Sequence, residues 1–301
     1  MGSYLYRKWF SIDAPMSYSC ASWTGLLNRV NLQWDTVWLD ALELPIERFP
    51  HLADYHDVLV GLSSVYASRW PKLANVPFYL AIGDGAAANV GVGALDEQAI
   101  AITIGTTSAA RMITSRLPDV SNGLWSYRLD KHHHLLGGAL SAGGNIYKWL
   151  QSVLRLPEDA DALVLAQRNK SHGLSFVPSL AGERSLRWNP FITGQIQGLR
   201  LETTAIDILQ AALEGVALQL AAVIEQMPST SSTKIYASGG ALSASIAWPA
   251  IITDILGKEI YLIDFVETTA RGCACLVLSH FGKRVLTEFE RLPTKIVTPS
   301  S

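Results

Sequence analysis

The chain has 301 residues, 49% of them hydrophobic and 17% charged, which is enough for one large core or two smaller ones. The 24 Lys and Arg are scattered among 26 Asp and Glu for a formal charge of −2, so the basic stripe of a nucleic-acid or anionic-membrane binder is excluded. The most apolar stretch, 208–227, is interrupted by Glu214, Gln219 and Glu225, short of the ~18 uninterrupted apolar residues of a membrane span, and no membrane association is expected.

In chain order, MGSYLYRKWF lacks the apolar core and cleavage site of a signal peptide, so a cytoplasmic location is the expectation. Three cysteines cannot all pair, and Cys20, Cys273 and Cys275 read as buried free thiols. Residues 76–82 (VPFYLAI) predict a strand that ends in Gly83-Asp84-Gly85 and feeds a helix start at 86–90. AIAITI (99–104) and AARMI (109–113), flanking Gly105-Thr106-Thr107-Ser108, predict a hairpin. His132, His133 and His134 read as a solvated loop tip, and Glu183 with Arg184 as a structural ion pair, the alternative being a site contact. From 205 to 227 the spacing of Ile208, Ala211, Ala212, Gly215, Leu218 and Ala222 predicts an amphipathic helix, with Thr204 and Asp207 as its cap. KIYA (234–237) predicts a strand running into Ser238-Gly239-Gly240. The stretch 241–256 reads as a helix closed by Gly257, its regular part starting near Trp248 or Pro249, where proline fits a first turn. Alternating strands and helices make the class α/β, and most of the nine tryptophans are expected in packing.

Three glycine-bearing turns each follow a strand. The 105–108 turn can offer backbone N–H groups and hydroxyls to phosphate oxygens. Gly239 and Gly240, lacking Cβ atoms, can let the backbone approach a flat ring. Asp84 lies at a strand end, where open α/β folds bind ligands, and is a candidate general base. Taken singly, Asp84 is a helix N-cap and the glycine pair a plain turn.

The ordered set IGDGAAANVG (82–91), ITIGTTSAAR (102–111), GGALSAGGNIYKWL (137–150), FVPSLAGERSLRWNP (176–190), ASGGALSASIAWPAIITDILG (237–257) and ETTARGCA (267–274) resembles the motifs of FGGY carbohydrate kinases. The SGGAL, AGERS and GGNxYKWL forms look most like the gluconate kinases, with xylulose kinases next nearest. The resemblance implies a ribonuclease H-like, actin-like ATPase fold and ATP-dependent phosphorylation of a small sugar, sugar acid or polyol, gluconate first. It implies Asp84 as the base toward the sugar hydroxyl, Gly105, Thr106 and Thr107 as a phosphate loop, Gly143 and Gly144 as a turn lining the nucleotide cleft, and Gly239 and Gly240 at the adenosine. ATP and Mg²⁺ are the implied cofactors, the metal bridging phosphates with few protein carboxylates and several waters.

Family members open with a further phosphate hairpin, Asp-x-Gly-Thr-Thr/Ser, which has no counterpart here. Residues 1–97 are therefore expected to be the end of a sugar-binding lobe, and 98–301 a complete nucleotide-binding lobe. A homodimer or a complementing N-terminal lobe are the expected partners. The alternative is a shortened, non-catalytic chain that retains at most nucleotide binding.

Overall fold

The computed structural model describes residues 2–120, 122–265, 267–282, 284–289, 292 and 294–300. Its centre is a seven-stranded sheet. The strands are β1 (Ala99–Ile104), β2 (Ser108–Thr114), β3 (Trp125–Arg128), β4 (His134–Leu140), β5 (Lys234–Ser238), β6 (Ile260–Ile263) and β7 (Thr294–Val297), in spatial order β7-β6-β5-β1-β2-β4-β3. β1, β2 and β4 form an antiparallel meander, in which Ile104 pairs with Ser108 and Ala109 with Ala139. β5 runs parallel to β1, with Ser238 beside Thr103, and β6 runs parallel to β5. A meander extended by parallel crossover strands is the α/β order expected of a ribonuclease H-like domain.

Period-two alternation in β1 decides what lies on each face of the sheet. Ile100, Ile102 and Ile104 point into the main core with Ala110, Met112 and Leu136 of the neighbouring strands. That core is closed by α4 (Ala205–Glu225), α2 (Gly144–Val153), α3 (Ala160–Gln167) and α6 (Ala247–Leu256). The other face of β1 carries Ala99 and Ala101. These small residues leave room for α1 (Asp84–Val92) and α7 (Thr268–His280), whose Ala86, Val90, Cys275 and Leu276 pack with Ile113 and Leu135.

α1 and α7 cross backbone to backbone. A Cβ on Gly91 would lie 1.8 Å from the Thr268 carbonyl oxygen, and one on Gly272 would lie 1.8 Å from that of Ala87. Asn89 ties α1 to the sheet, its buried amide donating to the carbonyl of Arg111 at 3.4 Å. Thr204 and Asp207 form the expected reciprocal cap of α4. α4 is long and apolar enough to cross a membrane by length and composition, yet it is the core helix of this fold. Of the expected stripe Ala211, Ala212 and Gly215 are buried and Leu218 is exposed, and the buried face extends to Leu209, Leu213, Val216, Leu220 and Val223. The helix is covered from several sides, so a single 3.6-residue stripe understates its contact.

Residues 2–83 pack as short pieces against β3, β4 and α7. Trp23 stacks on Tyr127 at 4.5 Å and Tyr127 on Trp125 at 4.5 Å, while Lys131 N–H donates to Asp54 at 3.0 Å. The expected strand at 76–82 is an extended segment with one isolated bridge, Leu59 to Phe78. Among the described residues no strand runs along it; Phe78 O accepts from Leu59 N–H, while Tyr6 donates to Tyr79 O and Ser17 and Cys20 donate to Ala81 O. Other expectations shift as well. His134 is buried at the start of β4, with only His132 exposed and His133 bound to Asp130. Glu183 pairs with Arg187, one turn on, instead of Arg184. Cys273 is exposed. The 241–256 stretch does hold the expected regular helix, α6, starting at Ala247 and closed by Gly257, but a separate short turn, α5 (Gly240–Ser243), precedes it, because Asp161 accepts from Ser245 Oγ and from Ile246 N–H at 2.7 Å and so starts a new helix.

Candidate functional site

Asp84 is the first helical residue of α1, with Gly83 as N-cap, so the bland N-cap reading is displaced by one residue. Its exposed carboxylate accepts the Gly85 N–H at 2.6 Å. Gly83 is held on both sides. Its N–H donates to Ser19 Oγ at 3.0 Å, and the Trp23 indole lies where a Cβ would be, 2.5 Å from Nε1. Asp84 is thus fixed from above by the 19–23 segment and from below by the α1–α7 crossing.

The hairpin turn, Gly105–Thr107, joins β1 to β2. Gly105 N–H donates to Thr107 O at 3.0 Å, closing the turn, while the carbonyls of Gly105 and Thr106 accept from Gly144 N–H and Asn145 N–H at 2.8 and 3.1 Å. The first turn of α2 is therefore spent on the hairpin, which it holds rigid. Thr106 and Thr107 are exposed, and their hydroxyls have no partner among the described residues. Gly143 and Gly144 are glycines because of this contact: Cβ atoms there would lie 2.7 Å from the Thr107 carbonyl carbon and 2.7 Å from Gly105 O. Gly239 adopts φ +115° with its Cα against the Ile104 carbonyl, a position that favours glycine twice over. Gly240 is different: nothing lies within 4 Å of its would-be Cβ, so the backbone there faces open space.

Three clefts run in series past these residues. The first, about 490 Å³, is walled by Tyr6, Ser17, Cys20, Trp23, Gly83 and Asp84. The central one, about 390 Å³, is walled by Asp84, Thr103, Arg111, Gly239, Gly240 and Asp264. The third, about 630 Å³, lies between Thr106, Gly144, Tyr147, Lys148, Gly240 and Trp248. Asp84 belongs to the first two and Gly240 to the last two. Of the residues singled out in the sequence, Gly105, Thr106, Gly144 and Gly240 meet in the third cleft, and Asp84, Gly239 and Gly240 in the central one. Gly143 supports the turn from beneath.

The glycine-lined third cleft suits a flat heterocycle, and the free Thr hydroxyls suit phosphate oxygens. Asp84 and Asp264 give the central cleft a donor set matched to a cation that keeps most of its waters. Sequence reasoning gave no role to Trp23, Arg111, Lys148 or Asp264. The signal for Arg111 was present: a cation inside the otherwise apolar or small strand SAARMIT.

A family model described as "FGGY family of carbohydrate kinases, C-terminal domain" matches residues 100–279. The chain is 30% identical over 297 residues to a gluconokinase of Bacillus subtilis, covering 93% of this chain but 58% of that protein. The chain thus spans little more than half the length of that relative. Among solved structures, a ligand-bound xylulose kinase from Lactobacillus acidophilus superposes with a TM-score of 0.89 at 25% identity, covering 99% of this chain and 62% of that one. A gluconate kinase from the same species gives 0.89 at 24% identity, with the same coverage.

Proposed function

Because this chain belongs to the FGGY family of carbohydrate kinases and has its actin-like ATPase fold, we propose that it serves ATP-dependent phosphoryl transfer to a small polyhydroxylated acceptor, a gluconate-like sugar acid foremost. The observation that carries the reading is the series of three clefts, with Asp84 on the wall shared by the first two and Gly240 on the wall shared by the last two.

In this reading the acceptor occupies the first cleft, between Trp23 and Asp84, and the nucleotide the third. The transferring group lies in the central cleft. Asp84 takes the proton of the attacking hydroxyl. An ordinary carboxylate suffices, because phosphoryl transfer rewards positioning and charge neutralisation more than strong proton abstraction. Thr106 and Thr107, with Gly105 shaping the turn, hold phosphate oxygens. Gly239, Gly240 and Gly144 flank the base and ribose. Mg²⁺ would supply charge neutralisation at the phosphates, and Asp264 is the carboxylate that would hold its waters. Residues 1–97 act as part of the sugar-binding lobe and 98–301 as the nucleotide-binding lobe, with a complementing lobe as the natural partner for closure and exclusion of water.

The test is a coupled assay of ADP release with gluconate, xylulose and glycerol, beside calorimetric titration of ATP. Gluconate-dependent release supports the proposal in full. ATP binding without release under any acceptor supports the nucleotide-binding reading alone, and absence of ATP binding sinks both.

A further inference from the structure

Arg111 is a cation built into the wall of the central cleft. It projects from β2 on the small-residue face of the sheet, directly across from Ala101. Its Nη1 donates to Thr103 Oγ1 at 3.2 Å. Its Nε lies 3.0 Å from the place a Cβ of residue 85 would take, so the glycine after Asp84 makes room for it. Burial pulls the guanidinium's pKa down from its ordinary value, opposed by the Asp84 carboxylate and reinforced by Arg184. Among the described residues Arg111 forms no ion pair, and its one side-chain hydrogen bond is to a neutral hydroxyl. A guanidinium has five N–H donors in a planar fork matched to two oxygens of one oxoacid. The Asp84 carboxylate acts on it only from beyond ion-pair distance, so holding such a group in a low-dielectric wall is costly, and the cost is relieved when an anion engages the fork directly.

Resting on the kinase reading above, we propose that Arg111 binds an anionic oxoacid group in the central cleft and is a ligand-contacting residue of the reaction. The group has two sources. One is the terminal phosphoryl of the nucleotide, whose charge spreads over its outer oxygens during transfer. The other is the carboxylate of an acid acceptor. A neutral wall at the same place would serve a neutral acceptor equally well, so the cation accounts for a preference that Asp84 alone does not.

The experiment compares the wild-type chain with Arg111→Gln and Arg111→Lys by calorimetric titration of ATP, ADP, gluconate, xylulose and inorganic phosphate, with melting curves as a check on folding. A contact to the terminal phosphoryl predicts that Arg111→Gln weakens ATP about tenfold or more while ADP is unchanged. A contact to the acceptor carboxylate predicts the same loss for gluconate with xylulose unchanged. Arg111→Lys keeps the charge but loses the fork, so it falls between the two and carries the test if the Gln variant does not fold. Equal affinities of folded variant and wild type for all five probes overturn the assignment. If the wild-type chain binds neither nucleotide nor sugar, the kinase reading falls by itself. Arg111 is then judged on inorganic phosphate, standing if the variant binds it at least tenfold more weakly and falling otherwise.

Discussion

Replacing Gly272 with alanine tests how Asp84 is held in place. The new Cβ would start 1.8 Å from Ala87 O and 2.9 Å from Gly91 N, both backbone atoms of α1, so no side chain can swing aside to admit it. Real Cβ contacts are essentially never below 3.0 Å, which forces α1 and α7 apart by more than 1 Å at the crossing. Overpacking of this kind costs ~1–3 kcal/mol, and a misplacement of ~1 Å at a reacting group costs ~10²-fold in rate. The expected result is a melting temperature lower by roughly 5 °C and a turnover, per folded molecule, lower by about 10²-fold. Leu220→Ala is the control: it opens a cavity in α4, on the opposite side of the sheet, and costs ~2–5 kcal/mol without moving Asp84. Gly272→Ala with wild-type melting, or with turnover per folded molecule as intact as that of Leu220→Ala, would refute the reasoning.

Gly240→Val should leave melting unchanged, since the space there is open, yet weaken ATP about tenfold or more by filling the junction of two clefts; calorimetry reads the affinity. Asp161→Ala removes the acceptor for Ser245 Oγ and Ile246 N–H at the start of α6 and should cost ~1–2 kcal/mol in denaturant unfolding. His134 is depressed to about 4 by burial and by the Arg128 and Arg29 guanidiniums. Between that value and the ordinary histidine value near ~6.5 the unfolded chain binds the extra proton, so stability falls as pH drops through this window. His134→Gln should flatten the slope of melting temperature against pH between about 4 and 6.5, and an unchanged slope would count against a buried neutral imidazole.

What was legible in the sequence came from local signals. The hairpin at 99–114 follows from β-rich runs around a Gly-Thr-Thr-Ser turn, and the start of α4 from Thr204 and Asp207 reading each other's backbone. Asp84 and the glycine turns were found as motifs, and the structure adds what surrounds each glycine: Gly143 and Gly144 lie under the hairpin, Gly239 lies against Ile104, and Gly105 and Gly240 have open space where a Cβ would be. Features set by distant partners were not legible. The 76–82 segment has strand composition but, among the described residues, only the Leu59–Phe78 bridge beside it, so Tyr79 O and Ala81 O take side-chain donors. Trp23 lies 61 positions before Asp84, and only the fold brings its indole onto Gly83. His134 looked like a loop residue among three histidines until the pairing of β2 with β4 drew it into the sheet. Arg111 stands within the ITIGTTSAAR stretch, but its place in the cleft wall depends on Gly85 making room from another element.

The central claim is that Asp84 stands between the acceptor and the nucleotide and serves the transfer step rather than nucleotide binding. The most direct measurement is gluconate-dependent ADP release by Asp84→Ala, set beside its calorimetric ATP affinity. The account predicts turnover lowered by ~10²–10⁴-fold with ATP affinity within about twofold of wild type. Turnover equal to wild type, or a loss explained wholly by weakened ATP binding, would contradict it.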